Sequence, residues 1–103
     1  GSRMTVYEFR NTVTTASGAA SAIGLSIPGG LIRQVLIRAN TATTLFSANI
    51  TDASGTIRRH YGFHRGEMND MEITLAVAGS LAINITNASP NDTFAVVVAC
   101  QER

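Results

Sequence analysis

The chain has 103 residues, a net charge of +1 and 15% charged residues, against about 25% in an average soluble domain. That length supports one domain burying roughly 60 to 70% of its unfolded surface without metals or disulfides. The near-neutral balance argues against a general electrostatic grip on nucleic acid, and no apolar run approaches the roughly 18 residues of a membrane-spanning helix.

Gly1-Ser2-Arg3 reads as a cloning scar, which makes Met4 the expected start of a short, complete protein and residues 4–103 the expected single domain. No basic segment followed by an apolar one comes after Met4, so export by a classical signal is not expected. Thr5 to Arg10 alternates, Tyr7 and Phe9 on one side and Val6, Glu8 and Arg10 on the other, and predicts a half-exposed strand. Residues 11–22 are small and polar, so the strand is expected to end near Thr15 and to give way to a mobile loop through Ser17-Gly18-Ala19-Ala20. A short strand over Ile23 to Ile27 is then expected to turn at Pro28-Gly29-Gly30, where proline presets φ and glycine accepts positive φ.

Leu31 to Arg38 carries apolar residues on both faces, the mark of a central strand. Its shortness and its Pro-Gly-Gly and Asn40-Thr41 flanks argue against a helix. Thr43 to Thr51 alternates with Phe46, Ala48 and Ile50 inward, and Asp52-Ala53-Ser54-Gly55 turns it into Thr56 to Arg59. Further on, Ile73, Leu75 and Val77 point to the core, Ala78-Gly79-Ser80 is expected to turn, and Leu81, Ile83 and Ile85 continue the core face. The last strand, Thr93 to Cys100, sets Phe94, Val96, Val98 and Cys100 on one face and leaves Ala95, Val97 and Ala99 on the other, so it is expected to be covered on both sides or packed against another subunit. The single Cys100 forms no internal bridge and is expected to pack.

The six residues from Asn49 to Ser54 return almost unchanged from Asn84 to Ser89, as though one β-hairpin were written twice. With turn signals every 8 to 12 residues, this predicts an all-β fold: a single-domain antiparallel β-sandwich or jelly roll of about seven to eight short strands. The N-x-Ser/Thr matches at Asn49, Asn84, Asn87 and Asn91 read as strand and turn chemistry.

Residues 58–72 hold six of the fifteen charged residues and both histidines, which predicts a projecting loop that anchors a partner. Its candidate contact residues are Arg58, Arg59, His60, Tyr61, Phe63, His64, Arg65 and Glu67, since Arg and Tyr dominate binding hot spots. His60 and His64 would share a face of an extended strand about 13 Å apart, too far for one ion, so no metal is expected. No Gly-x-Ser-x-Gly elbow or other nucleophile motif accompanies them, and neither a catalytic residue nor a cofactor is expected. The arginines of this stretch lie beside Glu67, Asp70 and Glu72 with only Tyr61 and Phe63 interleaved, a poor nucleic-acid stripe. All eight basic residues are Arg, which fits either an interface-rich surface or the codon bias of the source genome.

Three stretches, 30–38, 49–55 and 78–98, together resemble small β-sandwich virion proteins of tailed bacteriophages in their order of strands and turns. The resemblance implies a non-enzymatic protein of the virion, made in the cytoplasm of the host cell, that decorates or cements the capsid or sits at the head-tail connector. It also implies a homo-oligomer, a trimer being expected from how such proteins commonly sit at capsid lattice points. The alternative from another class is a carbohydrate- or receptor-binding β-sandwich module. Its weakness is the lack of Trp and the placement of most aromatics on core faces.

Overall fold

The computed structural model describes residues 6–102, so the scar assigned to Gly1–Arg3 and the start at Met4 lie outside it. Seven strands appear among the described residues: β1 Val6–Thr14, β2 Ala20–Ala39, β3 Leu45–Asp52, β4 Ile57–Arg65, β5 Glu67–Asp70, β6 Leu75–Ser89 and β7 Thr93–Glu102. All pairings are antiparallel. The order across the sheet is β1-β7-β2-β6-β3-β4, with β5 on β2.

β2 is shared by two layers. Its first part, from Ala20 to Ile32, pairs with β6, while its second, from Gly30 to Ala39, pairs with β7 and carries β5 on the opposite edge. That the sheet folds over on itself is fixed by one contact. Phe46 of β3 and Phe94 of β7 are three strand steps apart, a separation of about 14 Å in a flat sheet. Their ring centroids nevertheless lie 5.1 Å apart in an edge-on arrangement, so the two layers face each other as a sandwich. Both rings are fully buried, as are Ile32, Val35, Ile37, Ile50, Ile83, Ile85, Val96 and Val98. The core positions expected from β3, β6 and β7 are buried except Leu75, which is partly buried and packs against the core, because period-two alternation sends alternate side chains to one face wherever the ladder is regular.

The strands are not all short. Two expected turns are absent, and each turn signal sits inside a long strand. Pro28-Gly29-Gly30 lies within β2 and Ala78-Gly79-Ser80 within β6, and the two face each other: Ile27 pairs with Gly79, and the register shifts between Ile27 and Gly30. Gly and Pro chemistry serves a bulge as well as a turn. The expected mobile loop after β1 is instead a tight turn. Ser17 and Gly18 take φ of 53° and 82°, Ala16 and Ala19 exchange backbone hydrogen bonds of 3.0 and 3.1 Å, and the Gly18 N–H donates to Asn91 Oδ1 at 2.8 Å.

The duplicated hairpin is a hairpin only once. β3 turns at Asp52 and pairs with β4, but β6 and β7 are separated by β2, so the second copy leads from one layer to the other. The projecting loop expected over residues 58–72 is mostly β4 and β5, joined at Gly66. Gly66 has φ of 74°, and a Cβ there would collide with the Ala42 carbonyl. Its N–H donates to Thr44 O and its carbonyl accepts from Ala39 N, both at 2.7 Å. The corner thus carries the chain from β3's neighbour to β2's neighbour.

Candidate interaction surface

The eight candidate residues divide between the two faces of β4 and the start of β5, and bulges decide the division. Ile50 pairs with Arg59 but Thr51 with Ile57, leaving Arg58 as an extra residue. Ala48 pairs with Tyr61 but Phe46 with His64, so Gly62 and Phe63 together oppose Ser47. Each extra residue resets the alternation. Arg59, Tyr61 and His64 therefore sit opposite Ile50, Ala48 and Phe46, on the core face, while Phe63 is turned out and 67% exposed.

Tyr61 is buried, and its role is structural. Its hydroxyl donates to Asp70 Oδ2 at 2.7 Å, Arg59 Nη2 lies 2.9 Å from the same oxygen, and the Arg59 guanidinium stands 5.7 Å from the Tyr61 ring centroid. The other oxygen of Asp70 accepts from Glu72 N at 3.0 Å. This cluster ties β4 to the end of β5. Burial pushes the Tyr61 phenol well above its ordinary pKa, and the Asp70 carboxylate adds to the shift. Burial opposes ionisation of Asp70, but the hydrogen bonds from Tyr61 and Glu72 and the charge of Arg59 outweigh it and hold the carboxyl below its usual value.

The His64 ring lies 6.4 Å from Phe46. Its Nδ1 is 2.8 Å from the Gly62 carbonyl, which can only accept, so Nδ1 carries the proton. His60 pairs in register with Asn49 on the opposite face. The two histidines were expected to share a face; the bulge at Gly62 and Phe63 separates them. Among the described residues no group of three possible metal ligands converges.

Five candidates remain on the outside. Glu67 is held by Arg38, which donates from Nε and Nη2 at 3.0 and 2.7 Å. Arg58 reaches the Ala76 carbonyl at 3.4 Å and lies 3.8 Å from Asp52. The side chains of His60, Phe63 and Arg65 are uncommitted among the described residues, and Arg65 lines a shallow cleft with Arg38, Asn40 and Ala42. With Ile57, 55% exposed at the start of the same strand, they form an apolar and cationic edge.

No family model and no curated protein matches the chain. Two solved structures of infectious bursal disease virus are similar to it in part. The Gt strain structure is 13% identical with a TM-score of 0.47, over 98% of this chain and 33% of that one. The Gx strain structure is 10% identical with a TM-score of 0.46, over 96% and 32%. The chain thus spans about a third of the length of each, and at this degree of overlap neither carries an argument for function.

A second surface was legible only in part. The outer face of β7 is uncovered among the described residues, with Ala95 exposed and Val97 and Ala99 half-buried. Register sets these residues in rows with their neighbours: Glu8, Ala99 and Gln34; Arg10, Val97 and Leu36; Thr12, Ala95 and Arg38. The result is a narrow apolar strip with polar flanks. Sequence reasoning foresaw the apolar second face of β7 but not its flanks, which depend on strand order.

Asp92 joins three segments at one end of the sandwich. Its carboxylate accepts from Thr41 N and Thr44 Oγ1 at 2.9 Å and from Thr93 N at 2.8 Å, and its N–H donates to Thr15 Oγ1 at 2.9 Å. The Thr41 hydrogen bond leads the causes that hold its carboxyl below the usual value. The buried hydroxyls of Thr15 and Thr44 both have partners there.

Proposed function

We propose that the chain is a non-enzymatic virion structural protein that binds a capsid or head-tail connector protein through multivalent protein–protein contacts, as a homo-oligomer. The observation that carries this reading is the outward turn of Phe63 at the β4 bulge, two residues from uncommitted Arg65 and on the same edge strand as exposed Ile57. An aromatic anchor flanked by Arg is the composition of a binding hot spot. The resemblance of residues 30–38, 49–55 and 78–98 to small phage virion proteins supports the same reading. So does scale: the chain exposes 5758 Å², and one standard contact of about 800 Å² per partner would cover about a seventh of it.

The test is mass spectrometry of purified virus particles from the source, followed by rebinding of the isolated chain to particles depleted of it. Peptides of the chain in stoichiometric amount, and rebinding lost in Phe63→Glu and Arg65→Glu, are the expected results. Phe63→Glu is at an exposed site and should change folding stability by no more than about 0.5 kcal/mol. Absence from particles, with reproducible glycan-array binding lost on Arg65→Ala, would favour the carbohydrate- or receptor-binding alternative.

A further inference from the structure

β1 and β4 are the two ends of the strand order, and they are built differently. β4 is interrupted by bulges at Arg58 and at Gly62-Phe63, which twist an edge and break the even spacing of its free backbone groups. β1 pairs with β7 over nine consecutive residues, Val6 to Thr14, without a shift, and contains no proline. Among the described residues no strand pairs along its other side. Apart from the Thr12 N–H, which donates to Asn11 Oδ1 at 2.8 Å, its outward N–H and C=O groups form an evenly spaced template for one more strand.

We propose that the chain self-associates through β1, a second copy laying its own β1 antiparallel across a two-fold axis at Phe9. This rests on the homo-oligomeric part of the reading above and names the strand that makes the contact. Symmetry and charge together select the register. A two-fold perpendicular to the sheet keeps the core faces of both copies on the same side, so every residue must oppose one of the same face. With Phe9 at the axis, Glu8 opposes the partner subunit's Arg10, and Arg10 opposes the partner subunit's Glu8. Moving the axis one residue toward either end sets Glu8 against Glu8 or Arg10 against Arg10, and like charges directly opposite are destabilising.

Within one chain Glu8 and Arg10 already form an ion pair on the outer face. Joining two copies closes that pair into a ring of four alternating charges. The same register covers the exposed Val6 and Tyr7, at 68% and 47%, by placing them opposite the partner subunit's Thr12 and Asn11. It also continues the outer face of β7 into that of the second copy, so the two apolar strips lie on one side of a joined sheet.

The experiment is sedimentation velocity of the full chain at micromolar concentration and low salt, with Glu8→Arg, Arg10→Glu and the double exchange E8R/R10E. The expected result is a dimer, or a multiple of it, for the unchanged chain. Each single exchange should raise the dissociation constant at least about tenfold, and the double exchange should restore it to within about threefold. Far-UV circular dichroism confirms that all four forms keep their strands. A monomer at every concentration, a trimer indifferent to these exchanges, or equal weakening by the single and double exchanges would each overturn the proposal. Incorporation into particles is scored separately. A chain that dimerises as expected yet is absent from particles upholds the β1 contact and removes the virion role.

Discussion

Asn49 and Asn84, the first residues of the two copies of the repeated hexapeptide, stand directly opposite one another in the β3–β6 ladder. Asn84 Nδ2 donates to Asn49 Oδ1 at 2.8 Å and to Thr51 Oγ1 at 3.0 Å, and Asn84 Oδ1 accepts from Ser21 Oγ at 2.7 Å. From that pair the copies run apart in opposite directions, one to the Asp52 turn and the other to Asn87. The repeat is therefore related by a local two-fold, and both copies present Asn and Thr outward and Ile to the core. Their ends diverge for a local reason. Asp52 Oδ1 accepts from Ser54 N, Ser54 Oγ and Thr56 N, and Gly55 takes positive φ to close the turn. The second copy is followed by Pro90 instead of glycine, and its strand continues to Ser89.

Asn84→Ala should destabilise the fold by about 1 to 2 kcal/mol, because it removes three side-chain hydrogen bonds at a half-buried site and leaves Asn49 without its donor. Urea denaturation followed by circular dichroism measures it. A loss well under that in Asn84→Ala would mean that the row is satisfied by water and contributes little.

Gly66→Ala should cost about 2 kcal/mol or more, combining a left-handed backbone with a collision at the Ala42 carbonyl. Gly55→Ala supplies the control, since its φ is also positive, at 84°, but nothing lies within contact of an added Cβ. The difference between the two urea midpoints isolates the collision. Equal losses would show that the β4–β5 corner can shift to make room.

Acid should weaken the fold through Asp70. Its carboxyl is held below the usual value in the folded chain, so its contribution is present above the unfolded pKa of about 3.9 and is lost as pH falls through the folded value. In Asp70→Asn the urea midpoint should fall less steeply between pH 5 and the acid limit. An unchanged pH slope would remove Asp70 from the account.

Alkali should act on the same cluster from the other side. The phenol of Tyr61 is raised by burial, so its contribution is intact below an unfolded pKa of about 10 and is lost as pH rises toward the folded value. Tyr61→Phe should cost about 1 kcal/mol at neutral pH and flatten the alkaline loss. Ultraviolet titration of the phenols provides the check: a Tyr61 that ionises near 10 with the fold intact would contradict the cluster.

Phe46, Ile50, Ile83, Phe94 and Val96 were legible as core in advance because alternation is a property of a strand by itself, and burial follows once one face is covered. Phe63 was legible as an exposed aromatic but not for the right reason. Its outward turn depends on two residues of β4 opposing the single Ser47 of β3, and nothing in residues 57–65 announces which strand they will pair with. Tyr61 illustrates the converse. As a Tyr beside Arg it reads as a hot spot, yet pairing places it against Ala48 and brings Asp70 to its hydroxyl.

By itself the sequence determined the all-β class, the inward face of the regular strands and the Gly- and Pro-marked interruptions at 28–30 and 78–80, which it read as turns, while the bulges of β4 stayed unmarked. These are consequences of side-chain alternation and of Gly and Pro conformational preferences, which act within a few residues. Only the tertiary structure decided that Pro28-Gly29-Gly30 and Gly79 meet as facing irregularities in two long strands, that the second hexapeptide crosses between layers, and which edges stay open. Register and strand order come from contacts between residues far apart in the chain, and a single extra residue in one ladder exchanges core for surface along everything that follows.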